Sequence, residues 1–213
     1  MARPPSGILR ISPKVAPGLD GAMSRILVID GHPHPDPGHF VHALARSYAD
    51  AARQVHEVRV IEVAKLDFPV LRDPEDWKTG ELPVTLQEAQ DDIGWAAHIV
   101  ILYPLWLGDV PALLKAFLEQ VARPGFAIDP LGDGFFHKLL TGRSARVIVT
   151  MGMPAAAYRH FFREHSVKSL KRNILHFVGI KPVRITLIGD VDSGAGHRET
   201  WLRKIADLGR EGR

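Results

Sequence analysis

The stretch IVILYPLWLGDVPALLKAFLEQV, residues 99–121, joins a buried strand to a helix and indicates the fold class. It begins with an apolar run that ends at Tyr103 and Pro104, which is typical of a strand covered on both faces. Asp109 can cap a helix from Val110, and apolar residues then recur at helical spacing: Leu113, Leu114, Phe117, Leu118 and Val121. A strand, a loop and a helix in this order form the unit from which parallel α/β sheets are built.

The same alternation continues on both sides of this stretch. The five predicted strands are Arg25–Asp30, Glu57–Val63, His98–Leu102, Arg146–Thr150 and Val183–Ile188. Helical patterns separate or follow them at Phe40–Arg53, from about Thr85, from Val110, at Ser166–Val178 (stopped by Gly179) and at Arg198–Leu208. This pattern predicts an α/β protein with a doubly wound, five-stranded parallel sheet in strand order 2-1-3-4-5, arranged as three α/β/α layers.

The length of 213 residues is that of one domain. Residues 1–23 contain four Pro and three Gly without usable periodicity, so we predict a flexible N-terminal extension followed by a domain at 24–213. Two long stretches, Asp67–Pro83 and Arg123–Leu140, are predicted to be loops.

The composition limits the chemistry and the partners. The chain has no Cys, which excludes disulfides, a Cys nucleophile and thiolate metal sites, so any redox chemistry must be carried by a bound group. The net charge is +3, but nine basic residues and one acidic residue fall within residues 143–184, which indicates an anionic partner. No apolar run is long enough to span a bilayer or to form a secretory signal, so we expect a cytoplasmic protein without membrane insertion.

The predicted strand order places a ligand beyond the carboxyl ends of the first and third strands. The loops there are Gly31–His39 and Tyr103–Gly108, and the loop Met151–Ala157 borders the same crevice. The first loop opens onto a helix, whose free amides suit a phosphate, although a proline-rich connector is an equally open interpretation. Its histidines, with the next one in the helix, also suggest a metal: His32, His34, His39 and His42. Only the last two have a ligand spacing and no carboxylate partner is evident, so we predict no metal site.

The other two loops suit a flat aromatic ligand. Trp106 between two leucines can line such a ligand, or it can pack on a neighbouring helix or subunit. Gly152 permits close backbone approach, while Tyr158 and His165 could move protons or be an ordinary structural Tyr and surface His. The basic segment lacks interleaved aromatic residues, so nucleic-acid binding is not expected.

Three stretches, in order, resemble the NAD(P)H:quinone oxidoreductases of flavodoxin-like fold. Residues 99–121 are similar to the family's flavin-loop motif. The segment VIDGHPHPD, Val28–Asp36, is similar to its opening strand and phosphate loop, and VIVTMGMPAAAY, Val147–Tyr158, to its Thr-x-Gly loop with the following Tyr. The similarity covers Arg25–Gly189. The chain departs from the family's pattern where Ser, Asn and a second Gly are usual; it has Gly38, Val41 and Met153.

The resemblance implies a non-covalently bound FMN or FAD at a homodimer interface, with NAD(P)H as co-substrate. The implied flavin contacts are His32, Gly38, His39 and Phe40 at the phosphate, Pro104, Leu105, Trp106, Leu107 and Gly108 along the isoalloxazine ring, and Thr150, Gly152 and Met153 at its pyrimidine edge. Tyr158 matches the family's catalytic Tyr, and His165 is the best match for its catalytic His.

Two functions are compatible with this resemblance. The first is a flavin-dependent NAD(P)H dehydrogenase, a quinone reductase that transfers a hydride in a ping-pong reaction to a quinone-like acceptor. The alternative is a regulatory subunit of a membrane transporter of the potassium-efflux type, in peripheral contact with it and with little turnover. Basic residues such as Arg143, Arg159 and Arg163 could favour NADPH through its extra phosphate.

Overall fold

A five-stranded parallel sheet forms the centre of the computed structural model, which describes residues 23–130 and 136–213. The strands are β1 (Arg25–Asp30), β2 (Glu57–Glu62), β3 (His98–Pro104), β4 (Ile128–Pro130), β5 (Phe136–Lys138), β6 (Ser144–Thr150) and β7 (Val183–Ile188). The sheet has the order β2-β1-β3-β6-β7, and each neighbouring pair is parallel. The predicted fold class and strand order are therefore confirmed. The predicted N-terminal extension lies outside the described residues, apart from Met23.

Helices cover both faces of the sheet. They are α1 (Phe40–Ala52), α2 (Pro74–Thr79), α3 (Gln87–Trp95), α4 (Ala112–Val121), α5 (Ala155–His160), α6 (His165–Ser169), α7 (His176–Val178) and α8 (Ala195–Arg210). A π-helical segment, Leu170–Leu175, joins α6 to α7, so the helix predicted at 166–178 is one helical run with a widened middle. Gly179 ends this run with φ of 108°, as the sequence predicts.

Two predicted loops contain secondary structure. The stretch 67–83 includes α2, where the Asp73 side chain accepts a hydrogen bond from the Glu75 amide and Pro74 occupies the first turn. The stretch 123–140 includes the antiparallel pair β4 and β5. Both elements are too short for an apolar period to reveal them, since they have six and three residues.

The apolar core has one layer on each side of the sheet. Ile29 and Ile101 pack with Phe117 of α4 on one face, whereas Val28 and Val100 pack with α1 and α8 on the other. Gly209 of α8 lies so close to α1 that a Cβ there would be 2.4 Å from the Tyr48 carbonyl oxygen. Within the described residues, no helix combines the length and apolar character that crossing a bilayer requires.

Candidate functional site

Three loops meet at the carboxyl edge of the sheet, as the strand order predicts. The Gly31 amide donates to the Leu102 carbonyl at 2.7 Å, which fixes the loop after β1 against β3. The Leu105 amide donates to the Thr150 carbonyl at 2.8 Å, which fixes the loop after β3 against β6. The His32 and Trp106 rings are 6.0 Å apart, edge to face, so the first two loops also contact through side chains. The structure thus brings together the loops that the sequence analysis selects.

Histidines stack in the first of these loops. The rings of His32 and His39 are 4.0 Å apart and nearly parallel, and His42 is tilted against His32 at 4.9 Å. His32 is buried, and burial lowers its pKa below the ordinary value, so its imidazole is neutral at pH 7. A neutral ring has one N–H; in the tautomer whose Nδ1 accepts the His34 amide, at 3.2 Å, this N–H is on Nε2 and can be donated to a ligand.

A buried pair, Asp30 and His42, supports this loop from below. His42 Nδ1 lies 2.5 Å from Asp30 Oδ2, and His42 Nε2 lies 2.9 Å from the His34 carbonyl oxygen. Both ring nitrogens of His42 therefore lie against oxygen atoms, and these contacts hold the ring between β1 and the histidine loop. Sequence reasoning missed Asp30. The signal available in the sequence is that Asp30 is a carboxylate at the last position of a buried strand, and that a histidine, His42, lies in the first turn of the helix that follows.

The N-terminus of α1 presents unused backbone donors. His39 is the N-cap residue, its side chain makes no capping bond, and the first turn contains no acidic residue. Within the described chain, the amides of Phe40, Val41 and His42 have no acceptor. The Gly38 amide, in contrast, is already bonded to Asp36 Oδ1 at 2.9 Å. An uncapped helix start with a positive dipole end and no acidic residue in its first turn fits a flavin phosphate.

A tight turn shapes the second loop. Trp106 and Asp109 exchange two backbone hydrogen bonds of 3.0 and 2.9 Å around Leu107 and Gly108. Both central residues have positive φ, 48° and 81°, which is the geometry of a two-residue hairpin turn. Trp106 is half exposed and Leu107 is fully exposed. Where the chain is described, the Leu107 and Gly108 amides have no acceptor, so this turn combines exposed apolar side chains with two unused donors.

The third loop is held tightly by the chain that follows β7. A Cβ at Gly189 would lie 2.3 Å from the Ala155 nitrogen and 2.7 Å from the Met153 carbonyl oxygen, so the two backbones touch. Asp190 also donates its amide to that Met153 oxygen, at 3.2 Å. The amides of Gly152 and Met153 are not bonded to any described residue, and Gly152 is exposed. Close approach and unused donors fit the polar edge of a flavin ring.

Tyr158 and His165 do not form a pair in the structure. Tyr158 is almost completely buried, and its hydroxyl lies 2.6 Å from Ser166 Oγ. His165 is exposed, and its ring forms no hydrogen bond with the described residues. Sequence reasoning missed Ser166. It is eight positions after Tyr158, and no sequence pattern identifies a serine as the hydrogen-bond partner of a buried Tyr.

Tyr103 adds a second buried hydroxyl at this edge. Its OH has no partner among the residues that the structure describes, and burial, followed by the proximity of Tyr158 and Asp109, raises its pKa above the ordinary value. It is therefore a neutral O–H group whose hydrogen-bonding capacity is unused. Such an atom is expected near a ligand or an ordered water.

The histidine loop also brings together three groups that could bind a cation. Ligand atoms of His34, Asp36 and His39 all lie within 4.8 Å of one another. The carboxylate partner that the sequence analysis did not find is thus Asp36. Its Oδ1 already accepts the Gly38 amide, and the His34 Nδ1 accepts the Asp36 amide at 3.1 Å.

The basic residues that the sequence analysis associated with NADPH are separated. Arg143 precedes β6 at the amino edge of the sheet, where its guanidinium donates to the Ile93 and Gly94 carbonyls, so its proposed role beside the crevice is wrong. Arg159 and Arg163 lie beyond the carboxyl end of β6. Arg159 pairs with Glu164 at 3.0 Å.

Comparison with known proteins agrees with the fold. Residues 24–208 match a sequence family described by its flavodoxin-like fold. An uncharacterized NAD(P)H oxidoreductase of Haemophilus influenzae is 28% identical over 174 residues, which are 78% of this chain and 83% of that protein. An FMN-dependent NADH:quinone oxidoreductase of Burkholderia lata is 24% identical over 201 residues, 86% of this chain and 93% of that protein. The solved structure of an NAD(P)H:quinone oxidoreductase from Methanothermobacter marburgensis has a TM-score of 0.75 at 22% identity, covering 90% of this chain and 100% of that chain.

Proposed function

The chain belongs to the family of flavodoxin-like fold, and from this premise we propose that it is an FMN-dependent NAD(P)H:quinone oxidoreductase. The observation that carries the proposal is the set of unused backbone donors on three loops at one edge of the sheet, beginning with the uncapped start of α1. The names of the Haemophilus and Burkholderia relatives support a nicotinamide as the electron donor, and the name of the Burkholderia relative supports FMN as the cofactor and a quinone as the acceptor. A flavin, when bound, supplies the two-electron hydride chemistry for which this cysteine-free chain has no side chain.

The chain itself would bind and orient the flavin. The amides of Phe40 and Val41, together with His32 and His39, would hold the phosphate, with Gly38 at the turn into the helix. The residues that would line the ring are Pro104, Leu105, Trp106, Leu107 and Gly108. Thr150, Gly152 and Met153 would border its polar edge, where two unused amides can donate to carbonyl oxygens.

Two roles beyond flavin binding are part of the proposal. Tyr158 would donate a proton or a hydrogen bond from its buried hydroxyl, which Ser166 holds in place. His165, which is exposed on the same segment, would take part in proton transfer. The exposed Trp106 and Leu107 support a homodimer in which a second copy covers the crevice mouth and excludes water. A quinone-like acceptor would enter the same crevice after the oxidised nicotinamide leaves.

An absorbance titration tests the proposal directly. Purified apoprotein is titrated with FMN and, separately, with riboflavin, which has the same ring and no phosphate. We expect FMN to bind with a flavin band near 450 nm and at least about tenfold more tightly than riboflavin, because the α1 amides contact only the phosphate. The band should bleach with NADPH or NADH and return with menadione.

Two results would count against the enzyme. If neither flavin binds, the proposed cofactor is wrong. If FMN binds but the bleached 450 nm band does not return with menadione, the chain binds flavin without quinone reductase turnover. The alternative, a regulatory subunit in peripheral contact with a transporter, is then favoured.

A further inference from the structure

A second cleft lies at the opposite, amino edge of the sheet. Its volume is about 370 Å³, within the range of small-molecule sites. It is lined by His98, Arg143, Ser144, Lys181, Arg184 and, after the end of α8, Arg213. The strands that separate it from the crevice have six or seven residues, so the two sites are roughly 20 Å apart at about 3.3 Å per residue.

Positive charge in this cleft is largely uncompensated. Glu211 is the only acidic residue of its lining, and it pairs with Arg213. Lys181 and Arg184 are exposed, and no carboxylate of the described chain pairs with either of them. Arg143 is positioned by three carbonyl oxygens, of Ile93, Gly94 and Thr141, which fix its guanidinium without neutralising it. Three cations therefore surround the cleft without a counter-charge.

A buried arginine, Arg146, lies next to the lining residue Arg184 in the sheet and also has no carboxylate of the described chain paired with it. Arg146 is only 8% exposed, and its Nη1 donates to Thr186 Oγ1 at 2.7 Å. Its Nε has no partner, and no Asp or Glu of the described residues forms an ion pair with it. The acidic group that acts on it is Glu211, which already pairs with Arg213, so the charge of this buried guanidinium is compensated only in part, and that is costly. The protein side of this cleft thus leaves an anion to be supplied from outside.

His98 at the cleft adds an unused buried nitrogen. It is 6% exposed, its Nδ1 lies 2.8 Å from Ser144 Oγ, and its Nε2 has no partner in the described chain. Burial, followed by the charges of Arg146, Arg184 and His56, lowers its pKa to about 4, so the ring is neutral at pH 7. When the Ser144 hydroxyl donates to Nδ1, the ring proton is on Nε2, which is then a donor. In this tautomer His98 adds a donor to the cations that line the cleft, a set of groups that suits an acceptor.

We propose that this amino-edge cleft binds a phosphate-bearing small molecule, separately from the flavin crevice. Guanidinium and ammonium groups arranged on several sides suit the three oxygens of a phosphate group, which carries more charge than one carboxylate. The inference does not depend on the proposed quinone reductase activity, because none of these side chains lies at the carboxyl edge of the sheet.

Calorimetric titration with inorganic pyrophosphate tests the site. The titration uses the His39→Asp variant, since a carboxylate at the start of α1 repels anions from the flavin phosphate position. At constant ionic strength in chloride buffer we expect saturable binding of one pyrophosphate per chain. Arg184→Gln and Lys181→Gln, each added to this background, should weaken the binding at least about tenfold. Arg203→Gln, an exposed charge change on α8 outside the cleft, is the matched control and should leave binding unchanged.

A nitrogen-15 spectrum of the histidine rings locates the ligand. Pyrophosphate should shift the His98 Nε2 signal and leave that of the exposed His160 unchanged. The proposal is overturned if no saturable binding occurs, if Arg203→Gln weakens binding as much as Arg184→Gln, or if His98 does not respond. Citrate binding as tightly as pyrophosphate also overturns it, because the ligand class would then be a carboxylate.

Discussion

His39 occupies the N-cap position of α1 without capping the helix. A residue with a capping side chain would stabilise α1 but would also occupy the donors that a phosphate needs. The sequence could predict this loop because its prolines, glycines and histidines follow a strand directly. It could not predict that Asp30 and His42 hold the loop, since they are twelve positions apart and meet only through the packing of α1 on β1.

The His39→Asp substitution separates helix stability from cofactor affinity. An aspartate at this position can cap α1, so we expect the free energy of unfolding of the apoprotein to rise by about 0.5–1 kcal/mol. Its charge also repels the phosphate, so FMN affinity should fall at least about tenfold while riboflavin affinity stays unchanged. Urea denaturation and flavin titration measure the two effects. Unchanged FMN affinity would show that the phosphate is not bound at α1.

The buried hydroxyl of Tyr158 permits a test that distinguishes catalysis from packing. Tyr158→Phe and Ser166→Ala each remove the same 2.6 Å hydrogen bond and should each cost about 1 kcal/mol of unfolding free energy. Only the first removes the Tyr hydroxyl, so kcat should fall about 10- to 100-fold in Tyr158→Phe and much less in Ser166→Ala. Steady-state quinone reduction measures the difference. Equal losses of kcat in both variants would indicate a purely structural role.

At the scale of elements, the long periodic segments are predicted well and the short ones are not. The strands Arg25–Asp30 and Val183–Ile188 have the predicted bounds, because apolar runs between turn residues are a local property. The helix α2 and the pair β4 and β5 lie in stretches predicted as loops, since elements of six and three residues form only when the remaining fold provides their contacts. The helix predicted at 166–178 is confirmed as a helical run at 165–178, but its π-helical middle has no sequence signature.

Two glycines of α8 test the packing of this helix on α1. Gly209→Ala places a Cβ 2.4 Å from the Tyr48 carbonyl oxygen, so the helices must separate, at an expected cost of about 1–3 kcal/mol. Gly196→Ala in the same helix meets nothing within 4 Å and should stabilise by about 0.5–1 kcal/mol through helix propensity. Thermal and urea denaturation compare them. Stabilisation by both substitutions would contradict the close contact.

At the scale of the whole molecule, the two edges of the sheet have different chemistry. The carboxyl edge has neutral donors and exposed apolar groups, whereas the amino edge has uncompensated cations. The sequence indicated an anionic partner from the basic segment 143–184 but could not show that its residues divide between opposite ends of the sheet. Arg143 illustrates this division: it lies just before the first residue of β6, at the amino edge, whereas the crevice lies beyond the last residue of the same strand.

The burial of His98 makes the stability of the whole chain dependent on pH. Burial lowers the pKa of His98 to about 4 in the folded protein from the ordinary 6.5 of a solvated histidine, so the unfolded chain binds the proton more tightly. The free energy of unfolding is therefore not reduced by His98 above pH 6.5, and it decreases as the pH falls toward 4, by about 3 kcal/mol in total. Urea denaturation across this range measures it. His98→Gln should flatten the profile, whereas the exposed control His160→Gln should not; parallel profiles for wild type and His98→Gln would refute this prediction.

The contact between Gly189 and the third loop has a consequence for directed evolution. A side chain at position 189 would collide with backbone atoms of Ala155 and Met153, so any other codon there displaces the wall of the crevice. Gly152 has only the Asp192 carboxylate near its Cβ position, at 3.7 Å, and Ala156 is exposed. A mutant library aimed at new acceptors can therefore randomise position 156, provided that position 189 is kept as glycine and that Gly152, which is proposed to approach the flavin, is left unchanged.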